Sequence, residues 1–227
     1  VPVVLTAWGN IHDHHRVDSF KGKMVNLLSD DNTIVATMQV VDIFETDPDE
    51  ECRLVAGTTD VNHPYVQMVR ARRSRWCVSG PLTKKGGVPH YNYTDLRKTP
   101  EETKAYLKQK VGDQPVMGFQ TRNPMHRAHI ELMLKSAQSV GAHPLLHPVV
   151  GATQPGDIDP DIRVRCYRHV VRNLEGRVDV SLVVLPIAMR MLGPREALWH
   201  ALIRKNYGCT HFVVGRDHAG PSVKHSV

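Results

Sequence analysis

The chain has 227 residues, of which 41% are hydrophobic and 23% charged, and carries a formal charge of +6. That length holds one large domain or two modest ones with a real core, and the composition excludes a disordered chain. No apolar run approaches membrane-spanning length and no signal-peptide pattern opens the sequence, so a membrane partner is not expected. The basic excess implies an anionic partner and does not choose between nucleotide, sulfate and nucleic acid.

Residues 1 to about 95 read as β-rich. Val3-Val4-Leu5, Met24 to Leu28 and Thr33 to Val40 are apolar or β-branched runs, and Ser29-Asp30-Asp31-Asn32 supplies turn chemistry for a hairpin between the last two. His12-Asp13-His14-His15 is dense in ligand types, but adjacent loop residues rarely converge on one ion, so it reads as a solvated loop and no metal site is predicted. The acidic stretch Glu45 to Glu51 reads as a solvated connection. Arg70-Ala71-Arg72-Arg73-Ser74-Arg75 is the strongest basic run. Few aromatics accompany it for base stacking, so a charged helix end or subunit contact is favoured over nucleic acid. Cys52, Cys77, Cys166 and Cys209 never form C-x-x-C, which argues against zinc and fits a reducing compartment.

A domain boundary is placed between residues 95 and 96. Beyond it, Thr99-Pro100-Glu101-Glu102 is a capped helix start, and the helix runs through Lys110. Apolar strands then alternate with amphipathic helices: strand Val116 to Phe119, helix Pro124 to Val140, strand Leu145 to Val150, helix Asp161 to Leu174, strand Val180 to Leu185, helix Pro194 to Asn206, and strand Phe212 to Val214. The pattern predicts an α/β fold with a parallel sheet and right-handed crossovers. Ligands of such sheets sit beyond the carboxyl ends of the strands. Gln120 to Asn123 and Gly215 to Gly220 both follow strand ends, so they can face one crevice. Pro124 suits a first helical position, which would bring Gln120, Thr121, Arg122 and Asn123 to the positive end of a helix dipole, with Asn123 as a partial cap. His126 and His129, at i and i+3, share one face of the first turns.

Gln120-Thr121-Arg122-Asn123-Pro124 followed by His126-Arg127-Ala128-His129, together with Gly215-Arg216-Asp217-His218-Ala219-Gly220-Pro221, resembles the ATP sulfurylases, within the nucleotidyltransferases whose H-x-G-H signature binds ATP phosphates. Ala128 stands where the wider superfamily prefers Gly. The resemblance implies a Rossmann-like adenylyltransferase domain over residues 96–227, preceded by a PUA-like domain over 1–95. It also implies that the first strands of that barrel precede residue 1 and that the catalytic domain continues past Val227. By the same resemblance Gln120, Arg122 and the backbone of Ala219 hold sulfate. Gln120, Thr121, Asn123, His126, His129, Gly215, Arg216, Asp217 and His218 hold ATP, and the catalytic set is Thr121, Arg122, Asn123, His126, His129 and Arg216. Pro186 to Glu196 and Val149 to Asp157 resemble further family segments. Met189 and Arg190 are expected to approach the crevice, and the 149–157 stretch to pack beside it.

The reaction so implied joins sulfate to the α-phosphorus of ATP and releases pyrophosphate. Sulfate has no proton to lose, so the site needs fixed donors and cations rather than a general base. Mg²⁺ is expected to arrive as MgATP, since no acidic cluster lies at the motifs. A homo-oligomer in the cytoplasm or a plastid is expected, with ATP, sulfate and pyrophosphate as partners and nucleic acid not expected. The alternatives are a non-catalytic nucleotide- or RNA-binding module and an adenylyltransferase for another acceptor.

Overall fold

A computed structural model describes residues 19–29, 31–72, 74–86, 90–154 and 156–221. Val3 to Leu5 and His12 to His15 lie outside the described residues. The chain divides into two compact units, one ending at His90 and one running from Tyr91 to Ser222.

In the first unit β1 (Met24–Leu28) and β2 (Ile34–Gln39) form the predicted antiparallel hairpin, in register Met24 to Gln39. Its turn closes where Asn32 adopts φ 64° and donates its N–H to Ser29 O at 2.9 Å; asparagine tolerates this left-handed geometry better than most residues. β5 (Leu82–Lys84) joins the other edge of β2, while β3 (Asp42–Glu45) pairs with β4 (Trp76–Ser79).

Two helices, α1 (Pro48–Ala56) and α2 (Pro64–Arg70), add to the β-rich reading and correct the assignment of Glu45 to Glu51 as a solvated connection. Asp47 caps α1 by accepting from the N–H groups of Asp49 and Glu50, and Pro48 holds the first helical position. The acids that read as solvated therefore sit in the first turn, where the helix dipole favours them. Arg70 ends α2 and pairs with Asp49 at 2.8 Å. Arg72 grips Glu51 with both guanidinium nitrogens at 2.6 and 2.8 Å, and Tyr65 donates its hydroxyl to the same carboxylate at 2.7 Å. These two arginines of the basic run are thus committed within the chain, at a charged helix end.

The second unit carries the alternating pattern. α3 (Pro100–Val111) starts in a capping box: Thr99 Oγ1 accepts from Glu102 N–H, and the Glu102 carboxylate accepts from Thr99 N–H. Then follow β6 (Val116–Phe119), α4 (Arg127–Ser139), β7 (His143–Leu146), α5 (Pro160–Leu174), β8 (Ser181–Leu182), α6 (Pro194–Asn206) and β9 (His211–Phe212). The four strands pair in parallel in the order β8-β7-β6-β9. β7 and β8 are shorter than predicted, and beyond them the pairing continues as isolated bridges, Val149 with Leu185 and Val184 with Arg97. Pro148 has no N–H to keep the ladder running. Met117, Phe119, Met133, Leu146, Val164, Tyr167 and Val184 form the core between sheet and helices.

Gly118, in the middle of β6, marks a tight point in the sheet. A Cβ there would lie 3.1 Å from Cys209 Sγ and 3.2 Å from Arg204 Cγ. Arg204 is fully buried; its guanidinium donates to His147 O at 3.1 Å and His200 O at 3.3 Å and lies 5.1 Å from the Phe212 ring. Neither neighbour can swing into solvent. Gly118→Ala is accordingly expected to cost about 1–3 kcal/mol by overpacking, visible as a lower denaturant midpoint. An unchanged midpoint would show that Arg204 can move aside.

Candidate active site

The strand order reverses at β6. β7 and β8 lie on one side of it and β9 on the other, with Met117 opposite His211 and Gly118 opposite Phe212. The crevice beyond the carboxyl ends of adjacent strands at such a reversal is where open α/β sheets bind ligands. The loop after β6 contains Gln120 to Asn123, and the loop after β9 contains Gly215 to Gly220. The two motifs therefore leave the sheet from neighbouring strands, with Val213 N–H donating to Gly118 O at 3.1 Å just before the second loop.

The first loop is wound more tightly than predicted. Asn123 N–H donates to Thr121 Oγ1 at 3.1 Å, and Asn123 O accepts from the hydroxyls of Thr121 and Tyr167, each at 2.9 Å. With that carbonyl taken, the helix cannot begin at Pro124. α4 starts at Arg127 with His126 at the cap position, so the predicted roles of Pro124 as first helical residue and Asn123 as cap are corrected. No side chain among the described residues caps α4; His129 N–H donates to His126 O at 3.0 Å, which leaves the N–H groups of Arg127 and Ala128 open at the helix start. The His126 and His129 rings do meet, with centroids 3.9 Å apart and an interplanar angle of 32°. Burial and the neighbouring His126 hold the His129 imidazole below its ordinary range, and its Nδ1 is buried with no hydrogen-bond partner.

Arg122 is paired with Asp157. Burial raises the Asp157 carboxyl, but its bonds from Thr153 and Arg122 more than offset this and hold it below the usual range. The 149–157 segment thus does more than pack beside the loop: it brings a carboxylate to the one fork that sequence assigned to an oxyanion. Gln120 directs its amide nitrogen at Met189 Sδ, 3.9 Å away, while its Oε1 is buried and unpartnered. Met189 in turn shares an apolar cluster with Ala219, Met191, Val149 and Leu185. Gly151 lets these segments meet, because a Cβ there would lie 2.2 Å from Ile187 O.

In the second loop Ala219 adopts φ 53°, and its carbonyl accepts from Gly193 N–H at 2.9 Å. Among the described residues the Ala219 N–H makes no hydrogen bond. Arg216 and Asp217 are almost fully exposed, joined to each other at 3.6 Å. His218 folds inward, its Nε2 lying 3.1 Å from His200 Nδ1. The structure therefore brings together Gln120, Met189 and Ala219, and separately His126 with His129, while Arg216 points outward from its loop.

The ATP-sulfurylase family model matches residues 94–223. The chain belongs to that family. A PUA-like domain model matches residues 1–85. Among curated relatives, the sulfate adenylyltransferase of Gibberella zeae is 48% identical over 84% of this chain and 33% of its own length. That of Schizosaccharomyces pombe is 44% identical over 91% of this chain and 42% of its own. The chain thus spans about a third to two fifths of the curated relatives it matches. A solved structure titled hexameric APS kinase from Thiobacillus denitrificans superposes with TM-score 0.71 at 25% identity, over 95% of this chain and 37% of that one.

Within this ATP-sulfurylase fold, sequence reasoning missed Tyr167, Asp157, Glu196 and His200. Tyr167 and His200 lie on helix faces that periodicity reads as core, and nothing local signals that they bond to the motif loops.

The site's histidines make a pH prediction. Burial lowers the pKa of His129, His143, His147, His200 and His218, the last to about 4. Such groups favour the folded state when neutral. Their contribution is complete above the unfolded value of 6.5 and is lost as pH falls through each lowered folded-state value, about 4 for His218. Thermal midpoints should drop between pH 7 and 5, less so in His218→Asn; a midpoint flat across that range would contradict the burial of these rings.

Proposed function

We propose that this chain carries the acceptor and triphosphate sites of a sulfate adenylyltransferase, which forms adenosine 5′-phosphosulfate and pyrophosphate from MgATP and sulfate. One observation carries the reading: parallel pairing of β6 and β9 at the reversal of strand order starts both oxyanion-binding loops side by side. The family membership and the relatives' names support the same activity.

A sulfate oxygen attacks the α-phosphorus, the bond to the bridging oxygen breaks, and pyrophosphate leaves with that oxygen. Two anions must be held in contact, so fixed positive charge and donors do the work. Arg122 offers a planar fork matched to two oxygens of a tetraoxyanion; its Nη1 pairs with the Asp157 carboxylate, so sulfate has to share the guanidinium with that carboxylate. Gln120 and the Ala219 N–H complete the acceptor pocket. Thr121, Asn123, His126, His129 and the first turn of α4 take the triphosphate, with Gly215 and Arg216 facing it from the second loop and Asp217 and His218 bordering the ribose of ATP. Mg²⁺ enters as the counter-ion of ATP. The functional division is a PUA-like part over residues 1–95 and a catalytic part over 96–227. The working form is a homo-oligomer, in keeping with the hexameric title of the solved neighbour, acting in a reducing compartment such as the cytoplasm.

Pyrophosphate release that depends on sulfate tests the proposal, as does ATP formation from the phosphosulfate and pyrophosphate. Arg122→Lys keeps the charge but loses the fork. It should raise the sulfate requirement and cost about 1.5–3 kcal/mol in kcat/KM, while ATP binding survives. Selenate and molybdate should compete with sulfate. Normal sulfate use by the lysine variant would move the acceptor site elsewhere.

His126 and His129 should act as phosphate donors, not bases, because sulfate brings no removable proton. Asn at either position keeps a donor and should retain more activity than Ala. Equal loss in both variants with normal ATP binding would contradict that role.

A further inference from the structure

Beneath the second loop lies a buried polar chain that none of the motif assignments uses. Glu196, in the first turn of α6, is fully buried. Its Oε1 accepts from Arg190 N–H at 2.9 Å and its Oε2 from Leu192 N–H at 3.0 Å, tying the 186–193 loop to the helix. One turn on, fully buried His200 places Nε2 3.2 Å from Glu196 Oε1, off the ideal hydrogen-bond line. The other ring nitrogen of His200, Nδ1, lies 3.1 Å from His218 Nε2 in the Gly215 to Gly220 loop. The His218 ring also rests edge-on against His200 and Phe212, at centroid distances of 5.3 and 5.4 Å.

This arrangement fixes where the protons sit. Burial disfavours the charged Glu196, but the contact with His200 and the two backbone N–H groups outweigh it, so the carboxyl is held below its usual range and is ionised at neutral pH. Burial keeps both imidazoles neutral there. A carboxylate 3.2 Å from His200 Nε2 repels a lone pair and attracts an N–H, so the His200 proton is on Nε2. His200 Nδ1 is then a bare acceptor. The His218 nitrogen 3.1 Å away must be the donor, which leaves His218 Nδ1 without a proton. Among the described residues that nitrogen makes no hydrogen bond.

We infer that Glu196 and His200 are positioning residues that lock His218 with its proton on Nε2, so that His218 recognises a hydrogen-bond donor of the nucleoside through Nδ1 and does not contact phosphate. The inference rests on the nucleotide reading of this loop given under Proposed function and refines it. A bare ring nitrogen and a phosphate oxygen are both acceptors and repel, whereas sugar hydroxyls and the exocyclic amine of adenine can donate. The same chain joins the 186–193 loop to the second loop through Glu196, in parallel with the direct bond from Gly193 N–H to Ala219 O.

The proton position can be read without any variant, from long-range ¹H–¹⁵N imidazole correlations of the ¹⁵N-labelled chain at pH 7. His218 should show the Nε2–H pattern, and Glu196→Gln should shift it toward a mixture. A protonated Nδ1 in the parent chain would overturn the inference. Binding supplies the second arm, with MgATP and inorganic pyrophosphate as probes. His218→Ala and His200→Ala should weaken MgATP about five- to tenfold, the scale of one neutral hydrogen bond, and leave pyrophosphate within about twofold. His218→Asn, whose amide oxygen takes the place of Nδ1, should recover part of the loss. Parallel weakening of pyrophosphate would mean a phosphate contact and sink the proposal. Comparing ATP with its 2′-deoxy and 3′-deoxy analogues and with purine riboside triphosphate, which lacks the amine, identifies the donor. The contact missing from an analogue should cost affinity in the parent and nothing further in His218→Ala. If no analogue behaves so, Nδ1 reads no nucleoside donor. A parent chain that binds neither MgATP nor pyrophosphate would instead defeat the nucleotide reading, while the imidazole spectra would still report on the chain of protons.

Discussion

Everything at the candidate site depends on two parallel strands coming within hydrogen-bonding distance across a glycine. β6 and β9 are far apart in sequence, and their pairing at Gly118 opposite Phe212 lies over the buried Arg204 and Cys209 side chains. A side chain at Gly118 would push on both. With it absent, the loop after each strand starts beside the other. β7 and β8 extend the sheet on the far side, so the reversal of strand order falls at this pair.

The loops are then held by bonds that come from outside their motifs. Tyr167 on α5 donates to the backbone of Asn123, Asp157 pairs with Arg122, and His200 on α6 meets His218. These contacts set rotamers and proton positions for the residues expected to touch substrate, and a catalytic arrangement is only as well placed as such supports make it. Arg216 differs. Its side chain is almost entirely in solvent and, among the described residues, pairs with its neighbour Asp217 alone, so its use in charge neutralisation needs an anion to draw it in.

The buried and half-buried charges follow a consistent pattern. Glu51 with Arg72 and Tyr65 closes the helical pair of the first unit, and Glu196 organises the loops of the second. Each carboxylate accepts several hydrogen bonds, the condition under which a buried charge is tolerated. Arg204, by contrast, is held by two backbone carbonyls and the face of Phe212, its Nε buried without a hydrogen-bond partner among the described residues, and burial draws its pKa down to about 9.

The alternation of strands and helices after Thr99, the parallel sheet, the hairpin at Ser29 to Asn32 and both motif loops were legible in the sequence, because periodicity, caps and turn residues act over a few neighbours. Local signals also misled where a longer-range partner intervened. Pro124 looked like a helix start, yet the Tyr167 and Thr121 hydroxyls claim the Asn123 carbonyl and delay α4 to Arg127. The acids from Glu45 to Glu51 read as solvated, yet Glu51 is enclosed by Arg72 and Tyr65 from the next helix and its end. The segments ending at Asp157 and Glu196 were legible as relatives of the site, but the pairing of Asp157 with Arg122 and of Glu196 with His200 beneath His218 was not. Sequence patterns report which face of an element is apolar; which polar groups meet once those faces pack is decided only when strands distant in the chain are set side by side.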